Sequence, residues 1–214
     1  MDFSLSTEDQ NWVEKAEHYS KKFLERARKF DEAGIYPAEN FKELIAEEFH
    51  KLPVPKENGG YSSPAGNVGL IQYVVAQILA RGCPTTSWDL LIHFHQIGVV
   101  ARLASNDQKR RWLGEVVDRG ALMGSLGSEI NPTKFKAKNV KTRLVFDSTF
   151  EPTDGGFLAN GTKHFCSMGP VSDYCLFWAL APGTNNNGEG LTQALIPKDS
   201  PGLEFFENEW DEIT

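Results

Sequence analysis

An aromatic ring and a hydroxyl group stand two positions apart, at Phe165 and Ser167, in the segment Lys163 to Gly169. In an extended strand, side chains two positions apart lie on the same face. A ring and a hydroxyl donor on one face suit the binding of a planar heteroaromatic cofactor. The same pattern is also typical of an amphipathic core strand, and the residues alone leave both interpretations open.

A second candidate segment, Gly124 to Glu129, consists mainly of small and polar residues. Its backbone N–H groups would be accessible to a flat ligand, and Ser128 adds a hydroxyl donor. A first strand of a β-barrel explains the segment as well. Glu129, Glu207 and Glu209 are candidate acids or bases, although acidic residues in an acidic protein are mostly solvated surface groups.

Several common catalytic and metal-binding patterns are absent from the sequence. There is no P-loop, GxGxxG fingerprint, GxSxG elbow or Ser-His-Asp order. His93 and His95 stand two apart on a predicted helix and point about 200° apart, so they cannot share a metal ion in the usual helical way. Cys83, Cys166 and Cys175 show no CxxC spacing, which argues against a disulfide framework and a zinc site. We therefore expect no metal.

The bulk composition excludes several classes of partner. The chain has 214 residues and a formal net charge of −7, and its isoelectric point is near 5.3. An acidic chain without a basic run is a poor candidate for binding nucleic acid or an anionic membrane. The N-terminus lacks the apolar core of a signal peptide, and no stretch approaches the length of a membrane span. We expect a cytoplasmic protein.

The first 120 residues predict five helices. Apolar residues recur at steps of three and four, or form long aliphatic runs, and breakers separate these stretches. A capping-box spacing at Ser105 to Gln108 marks the start of the last helix, and Gly120 closes it. The predicted helices are Trp12 to Phe30, Pro37 to Phe49, Val68 to Ala80, Trp88 to Ala104, and the stretch from Ser105 to Arg119.

From Ala121 the pattern changes to short β-prone runs separated by Gly, Pro, Asn and Asp. Asn160-Gly161 predicts a tight hairpin turn, since both central residues of such a turn need positive φ. The other strand candidates are Val140 to Phe150, Tyr174 to Ala181, Leu191 to Ile196 and Gly202 to Phe206.

This order of elements predicts an α+β protein with two domains. Residues 1–120 form an N-terminal all-helical domain, and residues 121–214 form a small antiparallel β-barrel or sandwich domain. The chain ends without a closing signal, so we expect it to be a fragment or a short relative of a longer protein.

Taken together, the motifs resemble those of the acyl-CoA dehydrogenase flavoprotein family, in its N-terminal helical and middle β domains. The resemblance is carried by four stretches: Pro53 to Gly60, Gly124 to Glu129, Asn160 to Gly169, and Pro201-Gly202-Leu203. It implies that the C-terminal helical bundle with which the family continues is absent here. That bundle supplies the family's catalytic glutamate, so the catalytic residue of this chain is unknown.

The resemblance implies FAD bound on the middle domain. The implied cofactor contacts are Ser125, Gly127, Ser128, Phe165, Cys166 and Ser167. Glu129 and Lys134 are the implied substrate contacts, with Lys134 meeting a phosphate as a point charge. The chain departs from the family at Ile130 to Lys134, where a Gly-Ser-Asp segment usually meets phosphates of FAD and acyl-CoA. Serines 128 and 167 replace the usual threonines and keep the hydroxyl.

The implied function is oxidation of the α,β C–C bond of an acyl-CoA thioester, as in fatty acid metabolism. A carboxylate removes the α-proton while hydride passes from the β-carbon to flavin N5. The segment Lys163 to Gly169, followed by Asp173-Tyr174, also resembles the flavin-dependent monooxygenase branch of the fold. A third alternative is a non-catalytic or partner-dependent flavin-binding module.

The expected partners follow from the same resemblance. They are an acyl-CoA or other small-molecule substrate and an electron acceptor, or a companion chain that supplies the missing helices. Without those helices, Val68 to Ala80 and Trp88 to Val100 lose part of their burial partners. We therefore expect a homo- or hetero-oligomer that holds FAD weakly or not at all.

Overall fold

The computed structural model describes residues 5–62, 69–129, 147–182 and 189–206. Its helices confirm the five that the sequence predicts, and two short 3-10 turns, Phe49–Lys51 and Lys56–Asn58, lie between the second and third. The helices are α1 Thr7–Glu32, α2 Ala38–Ala46, α3 Leu70–Ala80, α4 Pro84–Leu103 and α5 Asn106–Arg119.

Serine side chains start α1 and α5 by the same local chemistry. Ser6 and Ser105 each accept a hydrogen bond from the backbone N–H three residues later, and the side chain there bonds back to the serine N–H. These reciprocal bonds satisfy donors that a helix start leaves unpaired. The capping box predicted at Ser105 is therefore confirmed.

An aromatic-rich core holds the helical half together. The Trp12 ring packs edge-on against Phe49 and Tyr61, with centroid distances of 5.3 and 5.1 Å. Phe23 and Phe94 are fully buried in the same cluster. Each large apolar side chain buried in this way contributes roughly 1.5–3 kcal/mol.

The described residues of the second half form a five-stranded mixed sheet. Its strands are β1 Met123–Leu126, β2 Thr149–Thr153, β3 Gly156–Asn160, β4 Tyr174–Pro182 and β5 Glu189–Pro197. The central strand, β4, pairs antiparallel with β5 along its whole length. On its other edge β4 pairs parallel with β1, and Thr149 of β2 pairs parallel with Leu180. β2 and β3 form an antiparallel hairpin.

The α+β class, with helices first and strands second, is confirmed, but the expected all-antiparallel barrel or sandwich is not. The sheet is mixed, and across the described residues it does not close. The reason lies in connectivity: β1 and β4 are separated by the whole β2–β3 hairpin, so the chain returns to β4 in the direction of β1. The antiparallel expectation assumed that neighbouring strands follow each other in sequence.

Two local predictions in this half are wrong. The hairpin turn falls at Asp154–Gly155, between β2 and β3, and not at Asn160-Gly161. Gly161 instead serves a close approach, since a Cβ there would lie 2.0 Å from Ser148 Oγ. Residues 202–206 contain no strand. Of the candidate at 140–150, only 147–150 are described, and they lead into β2.

Buried contacts cross from the helices to the sheet. Leu122 and Met168 lie in the helical core, and Met123 packs in a second cluster with Ile97 of α4 and Val116 of α5. Helix α5 ends at Arg119 and β1 begins at Met123. The division into domains 1–120 and 121–214 stays a prediction.

Apolar side chains remain exposed on α3 and α4, though fewer than the sequence suggests. Leu70, Tyr73 and Trp88 are 47%, 58% and 61% exposed. Leu103, at the end of α4, is 71% exposed, whereas other aliphatic residues of these two helices, such as Leu79 and Ile97, are buried within the chain itself.

Candidate functional site

The two segments singled out by sequence lie side by side. The N–H of His164 donates to the carbonyl of Ser128 at 2.9 Å, and the N–H of Ser125 donates to the carbonyl of Ser167 at 3.4 Å. The pairing at Ser128 and His164 is antiparallel. Continued along both segments, this register sets Gly127 opposite Phe165.

The segment 163–169 is not the extended strand that the sequence predicts. It makes one antiparallel bridge at His164 and then enters a turn at Ser167. Phe165 and Met168 have left-handed φ values of 57° and 67°, which are uncommon for residues other than glycine. The alternation of side chains along a strand therefore does not decide whether the Phe165 ring and the Ser167 hydroxyl lie on the same face. Phe165 is nevertheless 50% exposed, whereas Met168 is fully buried.

A buried carboxylate from the helical half holds this turn. Asp89 of α4 accepts hydrogen bonds from the Tyr36 hydroxyl at 2.5 Å and from the Met168 N–H at 3.2 Å. Burial raises the pKa of Asp89, while the two hydrogen bonds act to lower it. Burial and the neighbouring Asp89 charge raise the pKa of Tyr36, which therefore stays a donor. The left-handed conformation of Met168 is thus tied to the helices.

His93 ties the helices to the start of β1. Its Nδ1 accepts the Met123 N–H at 3.0 Å, so Nε2 carries the proton that is donated to the His50 carbonyl at 3.0 Å. Burial lowers the pKa of His93 to about 3 and that of His50 to about 4. Both imidazoles are therefore neutral structural groups at physiological pH.

Glu129 is engaged within the protein. Its carboxylate accepts from Lys163 Nζ at 2.5 Å and from the N–H groups of Asp147 and Ser148 at 2.6 and 3.2 Å. The side chains of Glu129 and Lys163 are only 6% and 2% exposed. Burial acts to raise the pKa of Glu129, but these hydrogen bonds hold it below its usual value. Its contact with substrate stays a prediction, and Lys134 lies outside the described residues.

The remaining predicted contacts differ in accessibility. Ser128 is exposed, and Ser125, Gly127, Cys166 and Ser167 are partly buried. Cys166 packs against the sheet core beside Cys175. The hydrogen bond with Cys175, together with burial, raises the pKa of Cys166. Cys166 therefore stays a neutral thiol at physiological pH.

Trp178 is a candidate that sequence reasoning missed. Leu126 of β1 pairs with Phe177 of β4, so the next step along both parallel strands brings Gly127 beside Trp178. A Cβ on Gly127 would lie 3.7 Å from Ser125 Oγ and 4.0 Å from Trp178 Nε1. The sequence contained one indication of this residue. Side chains alternate along the apolar run that forms β4, so residue 178 lies on the face of the sheet opposite Phe177.

The Trp178 indole nitrogen tests whether a flavin fits here. It is buried and has no hydrogen-bond partner among the residues that the structure describes. A buried donor left unpaired costs about 1–3 kcal/mol. A flavin ring carries carbonyl and ring-nitrogen acceptors, and the side chain of Phe165, on the facing segment, is half-exposed. The residues around Gly127 therefore fit such a ring.

A cavity of about 580 Å³ lies elsewhere, between the end of α5, the start of β4 and the end of β5. None of the six predicted cofactor contacts lines it. Two of its cationic side chains are engaged locally: Arg119 with Glu115 at 2.8 Å, and Lys198 with the Pro170 carbonyl at 2.9 Å. Across residues 5–62, 69–129, 147–182 and 189–206, no cluster of His, Cys, Asp or Glu is arranged to hold a metal ion. Nor is any described helix long and apolar enough to cross a membrane.

A helical half joined to a sheet, with the candidate site on the first strand and the facing turn, defines a class of flavoenzyme fold. Residues 6–119 match the description "Acyl-CoA dehydrogenase, N-terminal domain", and the chain belongs to the acyl-CoA dehydrogenase family.

Relatives from both branches of this fold are similar to the chain. A putative acyl-CoA dehydrogenase of Bacillus subtilis, YdbM, is 28% identical over 98% of this chain and 51% of its own. Acryloyl-CoA reductase (NADH) of Anaerotignum propionicum is 27% identical over 95% of this chain and 49% of its own. FMN-bound TdsC of Paenibacillus sp. A11-2, a dibenzothiophene monooxygenase, superimposes with a TM-score of 0.74 at 26% identity, covering 90% of this chain and 45% of its own. The chain spans about half the length of these relatives.

Proposed function

We propose that this chain is the flavin-binding part of an oxidoreductase of acyl-CoA dehydrogenase type, with FAD as its cofactor. The observation that carries the proposal is the pairing of residues 125–128 with residues 164–167, which leaves Phe165 half-exposed opposite Gly127. Two segments suited to a planar ligand by residue type are thereby adjacent in space.

The chain's own residues have separate roles in this proposal. Ser125, Gly127 and Ser128 line one side of the ring and orient it through backbone and hydroxyl groups. Phe165 covers the ring and excludes water, and Ser167 supplies a second hydroxyl. Cys166 packs beneath them as a neutral thiol. When bound, the flavin supplies a two-electron acceptor for substrate oxidation.

The proposed substrate is an acyl-CoA thioester, oxidised at its α,β C–C bond. Support comes from the family and from the two curated relatives, whose names refer to acyl-CoA chemistry. We assign no residue of this chain as the carboxylate that removes the α-proton. Glu129 and Lys134 are proposed to contact the substrate, and an electron acceptor completes the reaction. We place the enzyme in a reducing compartment such as the cytoplasm, in keeping with its three free thiols.

Monooxygenase activity is the second candidate. The similarity to TdsC favours it, as does the replacement of the usual Gly-Ser-Asp segment by Ile130 to Lys134. A partner-dependent module is the third, supported by the exposed Leu70, Tyr73 and Trp88. In that case the apolar groups are covered by a companion chain or a second copy.

Flavin titration of the purified chain tests the proposal. Quenching of FAD or FMN fluorescence measures the affinity of the chain and of two matched variants. Phe165→Ala removes a half-exposed ring at the site, and Phe157→Ala removes a 64% exposed ring on β3. Loss of one stacking ring is expected to weaken binding about fivefold to tenfold in Phe165→Ala alone. Equal affinities for all three proteins would contradict the site.

Two further measurements separate the candidate reactions. Anaerobic bleaching of the bound flavin by an acyl-CoA selects the dehydrogenase. Oxygen consumption that depends on supplied reduced flavin and yields an oxygenated product selects the monooxygenase. A chain that binds flavin but supports neither reaction, and regains one with a companion chain, selects the partner-dependent module.

A further inference from the structure

Trp178 presents a hydrogen-bond donor that finds no acceptor in the described part of the chain. Its Nε1 is buried and no atom of residues 5–62, 69–129, 147–182 or 189–206 accepts from it, although part of the indole is accessible. Most buried polar atoms in folded proteins have a partner, so an orphan of this kind calls for an explanation. The atom also lies within the site proposed above.

The surroundings of Trp178 Nε1 show where a partner would come from. Gly127 has no side chain, and the position of its absent Cβ is 4.0 Å from Nε1 and 3.9 Å from Cδ1 of the same ring. The nearby hydroxyl of Ser125 makes no hydrogen bond with Nε1. The space over Gly127 is thus flanked by the Trp178 donor on the β4 side and by the Ser125 hydroxyl on the β1 side.

We propose that the indole N–H of Trp178 donates a hydrogen bond to a carbonyl or ring-nitrogen acceptor of the bound flavin, which makes Trp178 a cofactor-binding residue. This inference rests on the flavin-binding function proposed above. A flat ring over Gly127 would bring an edge acceptor toward the Trp178 N–H, whose nitrogen lies 4.0 Å from the position of a Gly127 Cβ. An apolar ligand would leave that donor unpaired, so the ligand must carry acceptors along its edge.

Indole N–H resonances test the contact directly. The sequence has five tryptophans, and Trp178→Phe assigns the Trp178 signal in a ¹⁵N-labelled chain. On titration with FAD or FMN, we expect the Trp178 indole proton to move downfield as its hydrogen bond forms. Trp112, which packs edge-on against Tyr174 at 5.0 Å, is the internal control and is expected to stay in place.

Affinity and stability give a second, independent readout. An analogue of tryptophan with sulfur in place of the indole N–H, placed at residue 178, keeps the two-ring shape and removes only the donor. Its flavin affinity is expected to fall about tenfold, because an acceptor of the ligand loses its partner. Its thermal midpoint without flavin is expected to stay the same or rise, because the substitution removes a buried donor that forms no hydrogen bond among the described residues.

The outcomes separate this inference from the proposed function. One outcome is that the chain quenches flavin fluorescence but the indole N–H resonance of Trp178 does not move. Another is that the chain with the sulfur analogue binds flavin as tightly as the natural chain. In either case Trp178 does not donate to the flavin, and the proposed function stands. If neither FAD nor FMN binds at millimolar concentration, the flavin function fails and the inference fails with it.

Discussion

Removal of the Asp89 carboxylate tests how the helical half controls the candidate site. In Asp89→Ala, the Tyr36 hydroxyl and the Met168 N–H lose their shared acceptor. Each unpaired buried donor costs about 1–3 kcal/mol, so the two together cost about 2–6 kcal/mol. That is a large part of a typical domain stability of about 5–15 kcal/mol. Asp89→Asn keeps an acceptor oxygen and is expected to lose only about 1 kcal/mol.

Urea unfolding followed by circular dichroism measures these losses. Asp31→Ala, which removes an exposed carboxylate near the end of α1, is the matched control and is expected to change stability by less than about 0.5 kcal/mol. Hydrogen exchange of the Met168 amide localises the effect, since its protection is expected to fall in Asp89→Ala. Equal stability of the Ala and Asn variants, or unchanged protection at Met168, would refute the role given to Asp89.

Three further predictions follow from buried groups. His50 and His93 have pKa values lowered to about 4 and about 3, so the unfolded chain binds protons that the folded chain does not. Stability should therefore fall as pH drops below about 6.5, by roughly 5 kcal/mol at pH 4.5; a flat urea midpoint from pH 7 to 4.5 would contradict this. Gly161→Ala should destabilise by more than about 2 kcal/mol, since its Cβ meets Ser148 at 2.0 Å, whereas Gly156→Ala meets nothing within 4 Å and should be nearly neutral. Glu129→Gln removes the carboxylate charge that faces the buried Lys163 ammonium group and should cost about 3 kcal/mol in thermal or urea unfolding, with a loss below about 1 kcal/mol counting against the ion pair.

Local chemistry made the helical half predictable. Helices depend on residues that are close in sequence. The capping box at Ser105 spans four residues, and the spacing of apolar residues from Trp12 onward repeats every three or four positions, so both can be recognised locally. The sheet depends on distant pairings instead. The sequence around β1 does not indicate that this strand pairs in parallel with β4, which lies some fifty residues further along the chain. The predicted turn at Asn160-Gly161 was wrong for a related reason. The close approach of Ser148, which is distant in sequence, requires glycine at position 161, and no turn forms there.

The candidate site was predictable in its segments but not in its geometry. Residue type and family resemblance indicated Phe165 and Ser128, and the structure sets their segments side by side. The turn at Met168 depends on Asp89, a residue on a helix that no motif links to it. Trp178 was hidden in an apolar run, and only the register of two non-sequential strands brings it to Gly127.

Backbone amide shifts during a flavin titration test the central claim most directly. The site proposed here predicts that the largest shifts on adding FAD or FMN fall at residues 125–128 and 164–167. Shifts centred on Arg119, Tyr174 and Lys198, around the separate cavity between the helices and the sheet, or no shifts at saturating flavin, would contradict it.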